Sequence, residues 1–244
     1  MTALDAAERQ LRAAYGRYEW IPVWQGMSGA TTYRLVGAET LYLKLAAGMV
    51  AEAERIEWLS TAGIPGPRVL DAGGTDEVQW LVMTAVPGRA VSDPWPADRR
   101  RDVVDAAARQ LRALHAVPVR ECPFDQTLDV ALADARRRKP GSAELLAELD
   151  DLRPPAEDLV VCHGDYCTPN IMVDPETLQP TGLIDLGKLG RADRHADLGL
   201  MCGSLRNGLN PQYGEEHVER FLTAYGGDVD ERLLTYYLRL DWLF

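Results

Sequence analysis

The sequence has little lysine, little cysteine and no long apolar run. Three of its 26 basic residues are lysines (Lys44, Lys139 and Lys188), and its four cysteines are spread over 244 residues. A chain of this length does not need disulfide staples, so we expect reduced thiols. No stretch approaches the roughly 18–20 apolar residues of a membrane span, and the N-terminus lacks the apolar core of a secretory signal. These absences exclude a disulfide-rich secreted domain and predict a cytoplasmic protein with no membrane partner.

Acidic residues outnumber basic residues by 37 to 26, which gives a formal net charge of −11 and a pI near 4.9. A general nucleic-acid binder needs a basic surface, so we expect no nucleic-acid partner. An acidic surface instead attracts cations. With 46% hydrophobic and 26% charged residues, the composition is that of a globular protein with enough chain to bury a core.

The periodicity of the sequence changes near residue 85. Before that point, short β-type runs predict strands at 18–24, 31–36, 41–45, 68–71 and 78–84, with helices up to about 15 and at 50–61. After it, helical spacing predicts helices from near 96, at 133–139, at 143–152 and over most of 195–244, with short strands at 159–162 and 182–184. We therefore predict an α+β protein with a β-rich N-lobe at 1–84, a hinge at 85–88 and a mainly helical C-lobe at 89–244.

Two predicted strands of the second half each lead into a carboxylate. The first runs into His163-Gly-Asp165, with Asn170 five residues later, and the second runs into Asp185-Leu-Gly. Asp165 can accept a proton, whereas Asn170 and Asp185 offer the oxygen ligands that Mg²⁺ prefers. Phosphoryl transfer needs this set, because one group orients a hydroxyl nucleophile and two others hold the metal on the phosphates.

The first half supplies residues suited to phosphates. Lys44 lies in the predicted strand 41–45 among apolar neighbours, and Glu52 lies on the helix that follows. In a chain with three lysines, this placement predicts an ion pair that holds phosphates. Gly26 and Gly29 lie in a predicted hairpin turn whose backbone N–H groups can cover a triphosphate.

These motifs resemble those of the aminoglycoside phosphotransferases, which share the protein-kinase fold. The resemblance is carried by Gly-x-Ser-Gly at 26–29, the strand lysine, the segment 84–88, His-Gly-Asp-x4-Asn and the Asp-x-Gly run that begins at Asp185. It covers nearly the whole chain and implies a two-lobed protein-kinase-like fold and an O-phosphotransferase that confers antibiotic resistance. It also implies ATP and Mg²⁺ as cofactors and an aminoglycoside as small-molecule substrate. We expect a monomer.

The resemblance further implies roles for residues of the second half. Asp165 would be the catalytic base for direct, in-line transfer of the γ-phosphoryl group, without a covalent enzyme intermediate. Asn170 and Asp185 would hold Mg²⁺. His163 and Asp197 would support the loop that carries the base.

Five residues of the first half would bind the nucleotide by the same resemblance. Lys44, paired with Glu52, would hold the α- and β-phosphates. Ser28 would lie over the phosphates in the glycine turn. The backbone of Thr84 and of Val86 would meet the adenine.

Within the family, the runs at 160–174 and 181–187 are most similar to the streptomycin 3''-phosphotransferases, so the streptomycin 3''-hydroxyl is the expected acceptor. The kanamycin and neomycin 3'-phosphotransferases are next. Those chains typically end in Leu-Asp-Glu-Phe-Phe, and here Trp242 replaces the glutamate. The segments 45–51 and 137–143 are also shorter than in relatives. Candidate contacts for a cationic substrate are Asp193, Glu216, Asp241 and the Phe244 carboxylate.

The sequence leaves three other functions open. Kinases of the same fold that act on choline, homoserine, methylthioribose or hydroxyurea-type substrates share the His-Gly-Asp motif. A kinase-like protein that binds nucleotide without catalysis is a second alternative, although Lys44, Asp165, Asn170 and Asp185 are all present. A metal-dependent hydrolase is the third, and the spacing of the histidines does not favour it.

Overall fold

The computed structural model describes residues 3–23, 30–139 and 141–244. The chain divides into two units, Met1–Val86 and Pro87–Phe244, so the boundary falls inside the predicted segment 85–88. That this segment acts as a hinge stays a prediction. Strands dominate the first unit and helices the second, which confirms the predicted α+β class.

The first unit is an antiparallel sheet with two helices. Its strands have the sheet order β1-β2-β3-β5-β4. The elements are α1 (Ala3–Ala14), β1 (Glu19–Val23), β2 (Thr31–Val36), β3 (Thr40–Ala46), α2 (Met49–Thr61), β4 (Val69–Gly74) and β5 (Gln79–Thr84). Each predicted strand and helix of this unit is present, with bounds that differ by a few residues.

Alternation along β3 builds the core of the first unit. Leu41, Leu43 and Leu45 are buried on one face of the strand, together with Leu35 of β2. Leu11 of α1 packs into the same cluster. Because strand side chains alternate between faces, Lys44 lies on the opposite face from these leucines. The strand therefore buries its leucines in the core and presents one lysine on the other side.

The second unit contains six helices and five short strands in its described residues. Strands β7 and β10 pair with each other, and β6, β8 and β9 form a separate three-stranded sheet. The elements are β6 (Arg89–Ala90), α3 (Arg100–His115), α4 (Leu128–Arg138), α5 (Ala143–Asp151), β7 (Leu159–Cys162), β8 (Ile171–Val173), β9 (Pro180–Leu183), β10 (Gly190–Asp193), α6 (Arg194–Arg206), α7 (Glu215–Tyr225) and α8 (Glu231–Asp241). Among the described residues, no helix combines the length and the apolar character of a bilayer span.

Two predicted helix starts were wrong in this unit. Helix α3 begins at Arg100 instead of near residue 96, and α4 begins at Leu128 instead of residue 133. Helix α4 extends further because Leu128 and Leu132 are both buried in a core cluster that also contains Tyr236 of α8. The free energy gained by burying these leucines stabilises the helix over residues that the local sequence pattern did not predict as helical.

Candidate active site

The loop after β7 holds Asp165 between two anchored segments. On its N-terminal side, β7 ends at Cys162 and pairs with β10. On its C-terminal side, a 3₁₀ turn at Thr168–Asn170 leads into β8. Between them, the buried Tyr166 hydroxyl donates to the Ala107 carbonyl of α3 at 2.7 Å. The backbone that carries Asp165 is therefore held by β7 before it, by the 3₁₀ turn after it, and by the hydrogen bond from Tyr166 to α3.

Asp165 and Asn170, the two ends of the Asp-x4-Asn motif, are in direct contact. The Asn170 amide nitrogen donates to the Asp165 backbone carbonyl and to its carboxylate Oδ2, both at 2.9 Å. These bonds orient the amide so that its oxygen, Oδ1, is the group that Asn170 offers to a cation. Asn170 itself is 6% exposed, which limits its freedom to rotate.

Asp185 is brought to the same loop by its preceding residue. The Ile184 N–H donates to the Asn170 carbonyl at 3.0 Å, which places Asp185 next to that residue. The backbone of Asp185 has φ 62°, in the left-handed region that aspartate tolerates better than most side chains. Strained backbone of this kind is common at ligand sites. An amide oxygen beside a carboxylate is a donor set that fits Mg²⁺.

Asp197 anchors the loop that carries Asp165 to helix α6. This carboxylate, fully buried on α6, accepts the backbone N–H groups of His163 and Gly164 at 2.7 and 2.9 Å. It also meets the His115 Nε2 atom at 3.2 Å. His115 in turn contacts the Tyr225 hydroxyl through Nδ1 at 2.9 Å. Asp197 therefore links the loop that carries Asp165 to α3 and, through His115, to α7.

His163 joins the two carboxylate-bearing loops. Its Nδ1 accepts the Asp165 backbone N–H at 3.2 Å, and its Nε2 lies 2.9 Å from the Ile184 carbonyl. These partners assign the proton to Nε2, which donates to Ile184. The side chain is completely buried, so this bridge is shielded from water. His163 thus fixes Asp165 relative to the segment that carries Asp185.

The environment of Asp165 raises the pKa of its carboxyl group. Burial is the main cause, and the nearby carboxylates of Asp185 and Asp241 add to the rise. His163 and Lys188 act in the opposite direction. A carboxylate with a raised pKa is a stronger proton acceptor than one in water, which suits a general base.

Gly164 lies where the loop passes close to the backbone of Lys188, in the segment that follows Asp185. Its φ is +81°, and a Cβ atom there would approach the Lys188 carbonyl oxygen to 2.3 Å. We expect Gly164→Ala to displace the loop and to lower kcat about 10²-fold, the cost of a shift near 1 Å at a reacting group. Steady-state kinetics measure this. Gly208→Ala is the matched control because no atom lies within 4 Å of its added Cβ. Unchanged kcat in Gly164→Ala would contradict the close approach.

The first unit contains the predicted ion pair. Lys44 Nζ on β3 lies 2.7 Å from Glu52 Oε1 on α2, and their side chains are 12% and 2% exposed. The Gly48 backbone, with φ 82°, makes the turn that lets α2 begin directly after the strand. A largely buried ammonium held by a buried carboxylate is a well-oriented point charge, which suits a phosphate group.

Two further groups of predicted nucleotide contacts belong to this unit. Ser28, Gly26 and Gly29 lie at 24–29, outside the described residues. Thr84 ends β5, and its backbone N–H donates to the Arg68 carbonyl at 3.0 Å. The contacts of Thr84 and Val86 with adenine stay predictions.

The predicted substrate contacts differ in their surroundings. Asp193 is 1% exposed and caps α6, where its carboxylate accepts the backbone N–H groups of His195 and Asp158 at 2.8 Å. Its assignment as a substrate contact was wrong, because these bonds and the burial give it a structural role. Glu216, at the start of α7, is exposed and remains available for contact with a ligand.

Asp241 and Phe244 lie beside Lys188, three residues after Asp185. Lys188 Nζ is 3.4 Å from Asp241 Oδ1 and 4.9 Å from the centre of the Phe244 ring. Asp241 is also close enough to Asp165 to influence its pKa. The C-terminal end of α8 therefore lies near Asp165, the location that the predicted substrate contacts require. The roles of Asp241 and Phe244 stay predictions.

Comparison with known proteins gives the family. Residues 19–236 match the model of the phosphotransferase enzyme family. An aminoglycoside 3'-phosphotransferase of Streptomyces fradiae is 43% identical, over 96% of this chain and 98% of its own. A streptomycin 3''-kinase of Streptomyces griseus is 42% identical, over 91% of each chain.

Solved structures agree with these matches. A crystal structure of a type VIII aminoglycoside 3'-phosphotransferase superposes with a TM-score of 0.94 at 43% identity and covers all of both chains. A Streptomyces rimosus aminoglycoside phosphotransferase in complex with ADP and streptomycin superposes with a TM-score of 0.84 at 33% identity, over 100% of this chain and 99% of the other. The predicted kinase-like fold and enzymatic class are confirmed. The chain belongs to the phosphotransferase enzyme family, with aminoglycoside phosphotransferases as its relatives.

Proposed function

We propose that this protein transfers the γ-phosphoryl group of ATP to a hydroxyl group of an aminoglycoside. The observation that carries the proposal is the hydrogen-bonded arrangement of Asp165, Asn170 and the Asp185 segment on one buried support. The family of the relatives supports the reaction class, and the net charge of −11 supports a cationic acceptor, since it attracts ammonium and guanidinium groups.

Asp165 would orient the acceptor hydroxyl and take its proton as the oxygen–phosphorus bond forms. The bond from the γ-phosphorus to the bridging oxygen breaks in the same step, and ADP leaves. Asn170 and Asp185 would hold Mg²⁺, which when bound neutralises charge on the phosphates. Lys44, oriented by Glu52, would hold the α- and β-phosphates.

The acceptor hydroxyl has two candidates. Relatives of 43% and 44% identity, and the enzyme of the type VIII structure, are aminoglycoside 3'-phosphotransferases. They support a kanamycin- or neomycin-type substrate. The 42% identical streptomycin kinase and the replacement of a tail glutamate by Trp242 support the streptomycin 3''-hydroxyl. We place the 3' position first, which reverses the order expected from the sequence motifs, because its relatives cover more of both chains.

A coupled ADP-release assay with Mg-ATP tests the proposal. Kanamycin and streptomycin are offered separately, with choline and homoserine as acceptors for other kinases of this fold. Turnover with kanamycin alone supports 3' transfer, and turnover with streptomycin alone supports 3'' transfer. ATP binding with no antibiotic turnover would overturn the aminoglycoside assignment and favour another alcohol.

Lys44→Met should lower kcat/KM for ATP by at least about tenfold, equivalent to ~1.4 kcal/mol of lost interaction. It should also destabilise the fold by about 3–5 kcal/mol, because Glu52 is left buried without the ammonium. The double variant Lys44→Met/Glu52→Gln removes that unpaired charge, so it should regain stability without regaining activity. Lys139→Met, an exposed lysine, is the control. Urea unfolding and steady-state kinetics separate the two effects, and full activity in the double variant would contradict the phosphate role.

A further inference from the structure

The side chain of Cys167 lies between the proposed base and a proposed metal ligand. Its Sγ donates to Asp165 Oδ1 at 3.6 Å and accepts from the Asn170 amide nitrogen at 3.2 Å. The Cys167 backbone N–H also donates to the Asp165 carbonyl at 3.0 Å. Three side chains therefore form a closed hydrogen-bonded ring, and the reaction as described above uses only two of them.

The ring holds each oxygen of the Asp165 carboxylate separately. Asn170 donates to Oδ2 at 2.9 Å, and the thiol holds Oδ1 through a longer and weaker contact. A thiol is a weak donor, so it fixes the rotamer of the carboxylate without strongly stabilising its charge. An arriving hydroxyl can replace a contact of this length at Oδ1. The oxygen that a substrate would meet is thus oriented in advance and still available.

We propose that Cys167 is a positioning residue that sets the orientation of Asp165 Oδ1 and of the Asn170 amide for phosphoryl transfer. The inference rests on the proposed function. It predicts that the loss of the sulfur lowers the rate of the chemical step and leaves the affinity for both substrates unchanged. A residue that serves stability alone would not separate kcat from KM in this way.

The test compares Cys167→Ala and Cys167→Ser with wild type, with rates expressed per nucleotide-binding site so that unfolded material does not count. We expect Cys167→Ala to lower kcat about tenfold, as a small misplacement of a reacting group does, with KM for ATP and for the antibiotic within about twofold. Cys167→Ser restores a donor and an acceptor and should recover most of the rate. Cys202→Ala, a buried cysteine on α6, is the matched control and should keep wild-type kcat.

Several outcomes would overturn the proposal. These are wild-type kcat in Cys167→Ala, a change confined to KM, or a serine variant as slow as the alanine variant. Hydrolysis of Mg-ATP without antibiotic is measured in the same proteins, because it depends on the loop and not on the acceptor. Wild type that hydrolyses ATP but phosphorylates no aminoglycoside would refute the proposed function alone, and the ratio of the variants' hydrolysis rates would still decide the role of Cys167.

Discussion

Asp165→Asn should lower kcat by about 10²- to 10⁴-fold, the usual contribution of a general base. Asparagine has nearly the same shape and keeps one oxygen acceptor, so the loop should stay in place, whereas the amide cannot take the proton of the acceptor hydroxyl. ATP affinity should remain close to that of wild type, because Lys44 and Glu52 lie in the other unit. ADP release gives the rate, and calorimetric titration with ATP gives the affinity.

The matched control for this change is Asp174→Asn. Asp174 follows β8, and its Oδ1 accepts the N–H groups of Glu176 and Thr177 at 2.9 and 2.7 Å, a turn contact that asparagine can keep. We expect wild-type kcat in this variant. If Asp165→Asn kept more than a few per cent of wild-type turnover, Asp165 would not be the base.

The same variant also tests the raised pKa of Asp165. Since folding raises the pKa of this carboxyl, the protonated form stabilises the fold at low pH, and that contribution is lost as the pH rises through the folded-state pKa. At neutral pH the ionised carboxylate is a cost to stability, which asparagine removes. The Tm of Asp165→Asn should therefore equal or exceed that of wild type at pH 7, and the difference should shrink toward pH 4. A Tm well below wild type at pH 7 would contradict this.

Asp197→Asn should destabilise the protein by about 3–5 kcal/mol, the cost of breaking a buried charged network from one side. The Asp197 carboxylate accepts two backbone N–H groups and meets His115, and it is completely buried. An amide presents N–H where one of those donors points, so at least one bond is replaced by repulsion. Native domains are stable by about 5–15 kcal/mol, so this loss is a large fraction of the total.

Urea unfolding followed by circular dichroism measures this effect. Asp151→Asn, an exposed residue on α5, is the control and should stay within about 0.5 kcal/mol of wild type. The kcat of the folded fraction of Asp197→Asn should also fall, because the backbone N–H groups of His163 and Gly164 lose the carboxylate that holds them. A change in stability below about 0.5 kcal/mol, within the range of ordinary surface substitutions, would show that Asp197 is not a structural support.

Most of the fold follows from local patterns that the sequence displays. Strand alternation identified β3, and helical periodicity with Gly63 and Pro65 identified the end of α2. Strands β6, β8 and β10, of two, three and four residues, were not predicted. Strands so short carry no readable period, and their existence depends on partners far along the chain, such as β8 for β6.

The grouping of Asp165, Asn170 and the Asp185 segment was predictable because each follows a short strand at motif spacing. The error at Asp193 has a physical reason. A carboxylate near a motif can face solvent or cap a helix, and the bonds from His195 and Asp158 that decide this depend on tertiary packing.

The residues that sequence reasoning missed are those with distant partners. His115 and Tyr225 are 110 positions apart, yet they meet within 2.9 Å. No local period brings such residues together. Lys188 was visible as one of three lysines, but its partner Asp241 follows 53 positions later. Cys167 lay inside the motif, and its role depends on the side-chain directions of Asp165 and Asn170.

Direct detection of the product tests the central claim most closely. The protein is incubated with Mg-ATP and kanamycin or streptomycin, and the antibiotic, the protein and free phosphate are examined by mass spectrometry and ³¹P NMR. We predict one phosphate monoester on a single hydroxyl of the antibiotic, formed in equal amount with ADP, and no phosphate on the protein. Phosphoprotein, or inorganic phosphate in place of antibiotic ester, would contradict direct transfer to an aminoglycoside.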